Sequence, residues 1–402
     1  MPDTSFFAPR MSRFSESASQ AATQRVRELQ AAGRKIVKLT AGEPDFPTAD
    51  NIKWAVVRAM EHNDTNYTPV VGTLEMRKAV QAKFRRDNDM DFGLDEIFIG
   101  SGAKQVIYNA LMSTVDEGDE VIVPAPYWTS YPDMVKLSGG TPVFIVCGQN
   151  AGFRMRPEQL EEAITPATKW LLLCSPSNPS GAVYSKEELA ALAEVLMRHP
   201  HVHILTDDIY EHLLFDGHTF HTIAGVEPRL RERTLIVNGV SKAYSMTGWR
   251  VGFGAGPREL IKMMGKVQSQ ATAGISSISQ AAAVEALNGP QAYVKERTAD
   301  LQRRRDMLFD LLSEAKGVSC HKPEGAMYIF ANVAGMIGKR TPEGKVLETD
   351  TDVTLYLLDC GVAVVQGEAY GLSPYVRASF VAPDADIQEA GRLIQQAAAA
   401  LT

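Results

Sequence analysis

SKAYSMTGWR, Ser241 to Arg250, follows a short β-branched apolar run, TLIV at Thr234 to Val237, and sets one lysine eight positions before an arginine. The apolar run reads as a buried strand, ended by Asn238 and Gly239. Lys242 then stands at the C-terminal edge of a strand, where open α/β sheets bind their ligands. An amine held in a partly dry pocket loses proton affinity, because desolvation disfavours the ammonium, and a neutral amine attacks aldehydes. Lys242 is therefore a candidate Schiff-base lysine. The planar, permanently charged guanidinium of Arg250 suits a bidentate grip on a phosphate. Taken alone, the decapeptide is equally compatible with a solvated loop lysine.

Outward from this stretch, strands and helices alternate from about residue 50 to 290, the pattern of a mostly parallel sheet covered on both faces. Expected strands are Glu120 to Val123, Pro142 to Val146, Trp170 to Cys174, His203 to Thr206, Thr234 to Val237 and Val251 to Gly254. Between two of them Ser185 reads as an N-cap, with Glu188 as its capping-box partner and Leu189, Leu192, Ala193 and Leu196 on one face of a crossover helix. After about Gly289 come a long helix around Leu301 to Ala315, short strands near Ala326 to Phe330, Val362 to Val365 and Tyr375 to Phe380, and a closing helix from about Asp384. The expected division is an N-terminal arm completing part of a small domain (1–49), a large domain (50–290) and a small α+β domain (291–402). The polar insert Lys339 to Asp352 reads as a surface loop, and Arg303 to Arg305 as the solvated face of a helix that turns Leu301, Leu308 and Leu312 inward.

Composition narrows the function classes. A net charge of −7 and the absence of a long basic run argue against a nucleic-acid partner. No segment approaches the roughly 18 uninterrupted apolar residues of a membrane span. Four cysteines, at 147, 174, 320 and 360, lack metal-ligand spacing and suit a reducing compartment, so a cytoplasmic protein without a structural metal is expected.

Two further sites can be read from the residues. Ser101 and Gly102 precede a helical pattern with Ile107, Ala110 and Leu111 on one face, so the amides of Ala103 and Lys104 would point out of a helix N-terminus, where anions bind. A small-residue turn before a helix is, by itself, more often only a turn. Asp207 directly follows the strand HILT, and strand alternation points Asp208 the other way. Paired aspartates at a strand end also occur as metal ligands or helix caps.

Eight motifs stand in order along the chain: AGEPDF at Ala41 to Phe46, YTPVVG at Tyr67 to Gly72, GAKQ at Gly102 to Gln105, PYWTSY at Pro126 to Tyr131, SPSNPSG at Ser175 to Gly181, TDDIYEHL at Thr206 to Leu213, SKAYSMTGWR, and YVRASF at Tyr375 to Phe380. With them the chain resembles, from about Arg13 to its C-terminus, the class I aminotransferases of the fold-type-I pyridoxal-phosphate enzymes, most closely bacterial subgroup Ib aspartate aminotransferases. The resemblance implies an α/β fold-type-I transferase and a homodimer with shared active sites. It implies pyridoxal 5'-phosphate bound to Lys242, with Gly102, Ala103, Lys104, Ser241 and Arg250 at its phosphate and Tyr67 reaching the phosphate of the neighbouring subunit. Asp207 would pair with the ring nitrogen, Tyr210 and Asn178 with the phenolic oxygen, and Trp128 with the ring face.

For amino acid and 2-oxo acid substrates, the resemblance implies an α-carboxylate clamp at Arg377, with Gly42, Trp128 and Asn178 also against the substrate. Arginines in edge strands otherwise tend to be surface ion pairs. Lys104 and Arg13 match cations used for a distal carboxylate, which points to ping-pong transfer between L-aspartate and 2-oxoglutarate. Departures from the family pattern are Ala103 in place of a second glycine, Phe380 after the clamp arginine, Met327–Tyr328, and the segment Ala271 to Ala283, which lacks a tryptophan and is expected to enlarge the pocket. An aromatic or broad-specificity aminotransferase is therefore the alternative. A pyridoxal-phosphate lyase and a non-catalytic cofactor sensor complete the set.

Overall fold

The computed structural model describes residues 6–14 and 18–402; residues 1–5 and 15–17 of the expected N-terminal arm lie outside the described residues. A seven-stranded sheet forms the centre. Its strands are β1 (Ile97–Gly100), β2 (Glu120–Ala125), β3 (Thr141–Val146), β4 (Thr168–Cys174), β5 (His203–Asp207), β6 (Thr234–Gly239) and β7 (Gly252–Ala255). The spatial order is β1-β7-β6-β5-β4-β2-β3. Only β7 runs against its neighbours, β1 and β6; the remaining pairs are parallel. The central strands are buried on both faces, so β4 reads as the unbroken run WLLL rather than as an alternation. The expected strands are present, and β1, not expected, fills the edge beside β7.

Flanking helices include α1 (Leu74–Asn88), α2 (Ala103–Thr114) and α3 (Lys186–Arg198). The reciprocal capping box of Ser185 and Glu188 starts α3, and Leu189, Leu192, Ala193 and Leu196 are its buried face. Because the parallel strands share one direction, the turns after β4, β5 and β6 open on one rim. The β1-to-α2 turn opens there too, since β1 and β6 are both antiparallel to β7.

A four-stranded antiparallel sheet follows, ordered Val365–Gln366, Tyr375–Ser379, Tyr328–Asn332, Ser319–Cys320. The strand of Arg377 therefore lies inside the sheet, not at its edge, and Arg377 pairs in register with Phe330 on one side and Val365 on the other. The single strand expected at 362–365 splits: Val362–Ala363 pairs with Val37–Lys38 instead. That pairing, and the Ser379 amide donating to the Leu39 carbonyl at 2.8 Å, stitch the N-terminal segment to this sheet.

Helix α4 (Ala292–Ser313) and helix α5 (Asp384–Ala399) cover it. Leu301, Leu308 and Leu312 face inward as expected, but the arginine cluster does not merely solvate a face. Arg305 is fully buried and ion-paired to Asp216, because it shares the inward stripe of those leucines. The insert 339–352 also departs from a plain surface loop: Leu347 joins the core, and the buried Asp350 carboxylate accepts from Ser373 Oγ at 2.7 Å.

Candidate active site

The rim of the large sheet faces the four-stranded sheet across a cavity of about 1060 Å³. Lys242, three residues beyond β6, enters it, and its Nζ donates to the Gly42 carbonyl at 2.6 Å. Asp207, the last residue of β5, lies beneath it. Tyr131 Oη donates to Asp207 Oδ2 at 2.7 Å, and the Ile209 amide to Oδ1 at 3.4 Å. Burial pushes the Asp207 carboxyl up to about 6, against the opposing pull of those donors and of the Lys242 charge. Asp208 faces away, as alternation requires, and accepts from Thr206 Oγ1 at 2.6 Å. The two carboxylates do not converge as metal ligands would.

At one end of the cavity, Gly102 begins α2 at φ +81° and offers no side-chain cap, so the first-turn amides of Ala103 and Lys104 have no acceptor from the N-cap. Arg250 packs over this turn. A Cβ on Gly102 would stand 2.2 Å from Arg250 Nη2, and one on Gly252 would stand 2.1 Å from the Ala103 nitrogen. Gly252 is therefore demanded by close approach to backbone and Gly102 by its positive φ, and Ala103 is tolerated because only its backbone is pressed against β7. Ala103, Ser241 and Arg250 line the cavity here. Lys104 does too, with its Nζ 4.8 Å from the Trp128 ring centroid. Partial desolvation, helped by the like charge of Arg250, lowers its pKa.

At the other end Arg377 is buried, its Nη1 donating to Asn178 Oδ1 at 3.1 Å and its Nη2 to the Thr40 carbonyl at 3.0 Å. Its guanidinium stacks 4.2 Å from the Tyr328 ring centroid, while Nε has no partner. Tyr328 Oη in turn lies 3.0 Å from Tyr210 Oη. Burial first, then the neighbouring phenol, holds the Tyr210 hydroxyl well above its ordinary pKa.

Within one chain the structure brings Gly42, Ala103, Lys104, Trp128, Asn178 and Asp207 to this cavity, together with Tyr210, Ser241, Lys242, Arg250 and Arg377. Gly102 stands just behind Ala103. Tyr67 and Arg13 are not brought there: Tyr67 is 99% exposed, and Arg13 is exposed beside the short helix Pro9–Ser12. Two expected departures fall away from the pocket. Phe380 is buried against Phe215. None of residues 271–283 lines the cavity; instead the Ile275 carbonyl accepts from Thr68 Oγ1 at 2.8 Å, so this segment holds the Tyr67–Thr68 loop. Tyr131 was missed by sequence reasoning, although it sits three residues after Trp128 in PYWTSY.

A primary amine, a buried acid and an uncapped helix N-terminus thus share one cavity with a buried guanidinium. The family described as aminotransferase class I and II matches residues 34–394. This chain belongs to that family. As an aminotransferase it is 55% identical over 359 residues to the aspartate aminotransferase of Rhizobium meliloti strain 1021, covering 89% of this chain and 88% of the relative. It is 51% identical over 398 residues to the aspartate/prephenate aminotransferase of Cereibacter sphaeroides, covering 99% and 100%. The crystal structure of an aspartate aminotransferase from Rhizobium meliloti superposes with a TM-score of 0.96 at 51% identity, over 98% of this chain and 99% of that one. The aminotransferase fold is that of a fold-type-I enzyme. Among the described residues no helix is long and apolar enough to cross a membrane.

Proposed function

We propose that this aminotransferase uses pyridoxal 5'-phosphate to move an amino group between L-aspartate and 2-oxoglutarate in two half-reactions. The observation that carries the reading is Arg377, a buried guanidinium on the cavity wall whose hydrogen-bond acceptors are both neutral, which suits an incoming carboxylate. The residues also fit the cofactor: Gly102 and Gly252 are pared to glycine where Arg250 and the start of α2 form a cradle, and Asp207 is a buried acid with room above it.

When bound, the cofactor supplies an aldehyde for condensation with amines and an electron sink for a carbanion. Arg250, Ser241 and the amides of Ala103 and Lys104 would hold its phosphate. Tyr67 of the partner subunit would join them in a homodimer, a reading favoured by the exposure of so large an aromatic. Asp207, fixed by Tyr131, would keep a proton on the ring nitrogen, and Tyr210 and Asn178 would donate to the ring oxygen. Trp128 would cover the ring face. Lys242 would take the proton from Cα of the amino acid and return it one position along.

Arg377 and Gly42 would orient the α-carboxylate, and Lys104 the distal one. Arg13, outside the cavity of a single chain, joins Lys104 only if dimer assembly redirects the N-terminal segment. We read 50–290 as the large domain, and 291–402 with part of 1–49 as the small one. The free thiols of Cys147, Cys174, Cys320 and Cys360 favour a reducing, cytoplasmic setting.

A second reading, acceptance of ring-bearing oxo acids such as prephenate, is favoured by the Cereibacter relative's name and by the flat Trp128 wall beside Lys104.

The test is one half-reaction on cofactor-loaded protein, following loss of its visible band with aspartate, glutamate, phenylalanine and alanine at equal concentration. Aspartate and glutamate should convert it first. Phenylalanine ahead of both would overturn the dicarboxylate pairing, and release of pyruvate or ammonia without conversion would indicate a lyase.

A further inference from the structure

The turn after β5 has two faces. Asp207 and Tyr210 point into the cavity, while Asp208 and Glu211 point behind it, into a buried charged cluster that no substrate reaches. Lys83, on the inward face of α1, is 1% exposed and ion-paired to Glu211, itself 4% exposed. Asn88 ties the pair together: it accepts from Lys83 Nζ at 2.7 Å and donates to Glu211 Oε2 at 3.1 Å. His212 Nε2 lies 3.3 Å from Glu211 Oε1 and 3.6 Å from Asp87 Oδ2. Asp87 is gripped by Arg86 at 2.7 and 2.8 Å. Asp87, Glu211 and His212 could geometrically share a metal ion, but Lys83 and Arg86 already supply the positive charge there.

The backbone couples the two faces. The Asp208 amide donates to the Val237 carbonyl at 2.8 Å, the Glu211 amide to Asp208 at 3.0 Å and the Leu213 amide to Tyr210 at 2.8 Å. A turn closed at three points has little freedom left, so a shift of the Glu211 carboxylate carries Tyr210 with it. A buried ion pair adds little net stability, because desolvation offsets the attraction, but it satisfies its partners in one arrangement only. Burial raises the Glu211 pKa, and the Lys83 and His212 charges together with the hydrogen bonds from Lys83 and Asn88 outweigh it, leaving the carboxyl below its ordinary value.

We propose that Lys83 and Glu211 are positioning residues for the transamination proposed above, on which this inference rests: from behind the turn they fix where the Asp207 carboxylate and the Tyr210 hydroxyl stand against the cofactor.

The experiment compares cofactor-loaded wild type with Glu211→Gln, Lys83→Met and the double Lys83→Met/Glu211→Met. It reads kcat and KM for the fastest amino donor, the pH midpoint of the visible band, and the thermal midpoint. Misplacement by about 1 Å can cost on the order of 100-fold in rate. Both single variants should therefore lose tenfold or more in kcat (about one to two orders of magnitude), with a shifted band midpoint and an almost unchanged KM. The double variant leaves no unpaired charge, so it should recover thermal stability yet keep the low kcat and the shifted midpoint. If the singles do not fold, the double decides alone. A stable double with wild-type kcat and midpoint, or singles that lose only thermal stability, overturns the proposal. Wild type lacking both band and turnover overturns the functional reading itself, and this inference with it.

Discussion

Arg305 and Arg377 are both buried, yet the chain surrounds them in opposite ways. Arg305 gives two hydrogen bonds to Asp216, at 2.6 and 2.9 Å, one to Asp306 at 2.9 Å and one to the Pro323 carbonyl at 2.8 Å. All its nitrogens are occupied and its charge is cancelled. Arg377 has two neutral acceptors, two aromatic faces and an Nε without a partner. A buried cation is costly unless matched; Arg305 is matched within the scaffold, whereas the role proposed for Arg377 is to meet an anion from outside. Burial alone does not separate structure from function; the charge of the partners does.

The sharpest way to break this contrast is to remove the chemistry and keep both arginines. Lys242→Ala should lower turnover by about 10⁴-fold or more, since the nucleophile and the proton carrier vanish together, and steady-state assay with the visible spectrum checks it. Next, Arg377→Met should lower kcat/KM for every amino acid by on the order of 10²–10³-fold, or about 3–4 kcal/mol, while the thermal midpoint barely falls. Arg305→Met should do the reverse. Substrate kinetics stay near wild type, and denaturant unfolding loses about 2–3 kcal/mol, because Asp216 loses its guanidinium partner but can reach water, while Asp306 keeps Lys322.

The smallest effect concerns the Asp208 carboxyl, the first residue after β5. Burial pushes Asp208 up to about 7. Its folded pKa thus exceeds the unfolded value of about 3.9, so the folded state binds the extra proton and stability falls as pH rises from about 4 to about 7. Asp208→Asn removes that slope. Thermal unfolding of the cofactor-free protein should show the variant unchanged near pH 4 and more stable than wild type at pH 8.

The cavity side of the fold was legible because its signals are local. Lys242 after an apolar strand, Asp207 at a strand end and Gly102 at a helix start each announce a geometry within ten residues. The clamp role of Arg377 was an expectation from family resemblance alone, and its interior place in the sheet was not legible, since it depends on neighbours at Phe330 and Val365 that sequence spacing does not reveal. Arg305 was misread although it stands four residues after Leu301 and three before Leu308, on their stripe; its charge masked its position. Tyr131 reaches Asp207 across two strands, a pairing that no local pattern encodes. Tyr67 and Arg13 stand outside the single chain's cavity, so the roles proposed for them rest on the proposed dimer.

The most direct test of the account is to trap the lysine. Cofactor-loaded protein is treated with borohydride, which reduces a carbon–nitrogen double bond to a stable amine, then digested and mapped by mass spectrometry. The account predicts the added cofactor mass on the peptide containing Lys242 and on no other. The same mass on Lys104 or another lysine, with Lys242 unmodified, would contradict it.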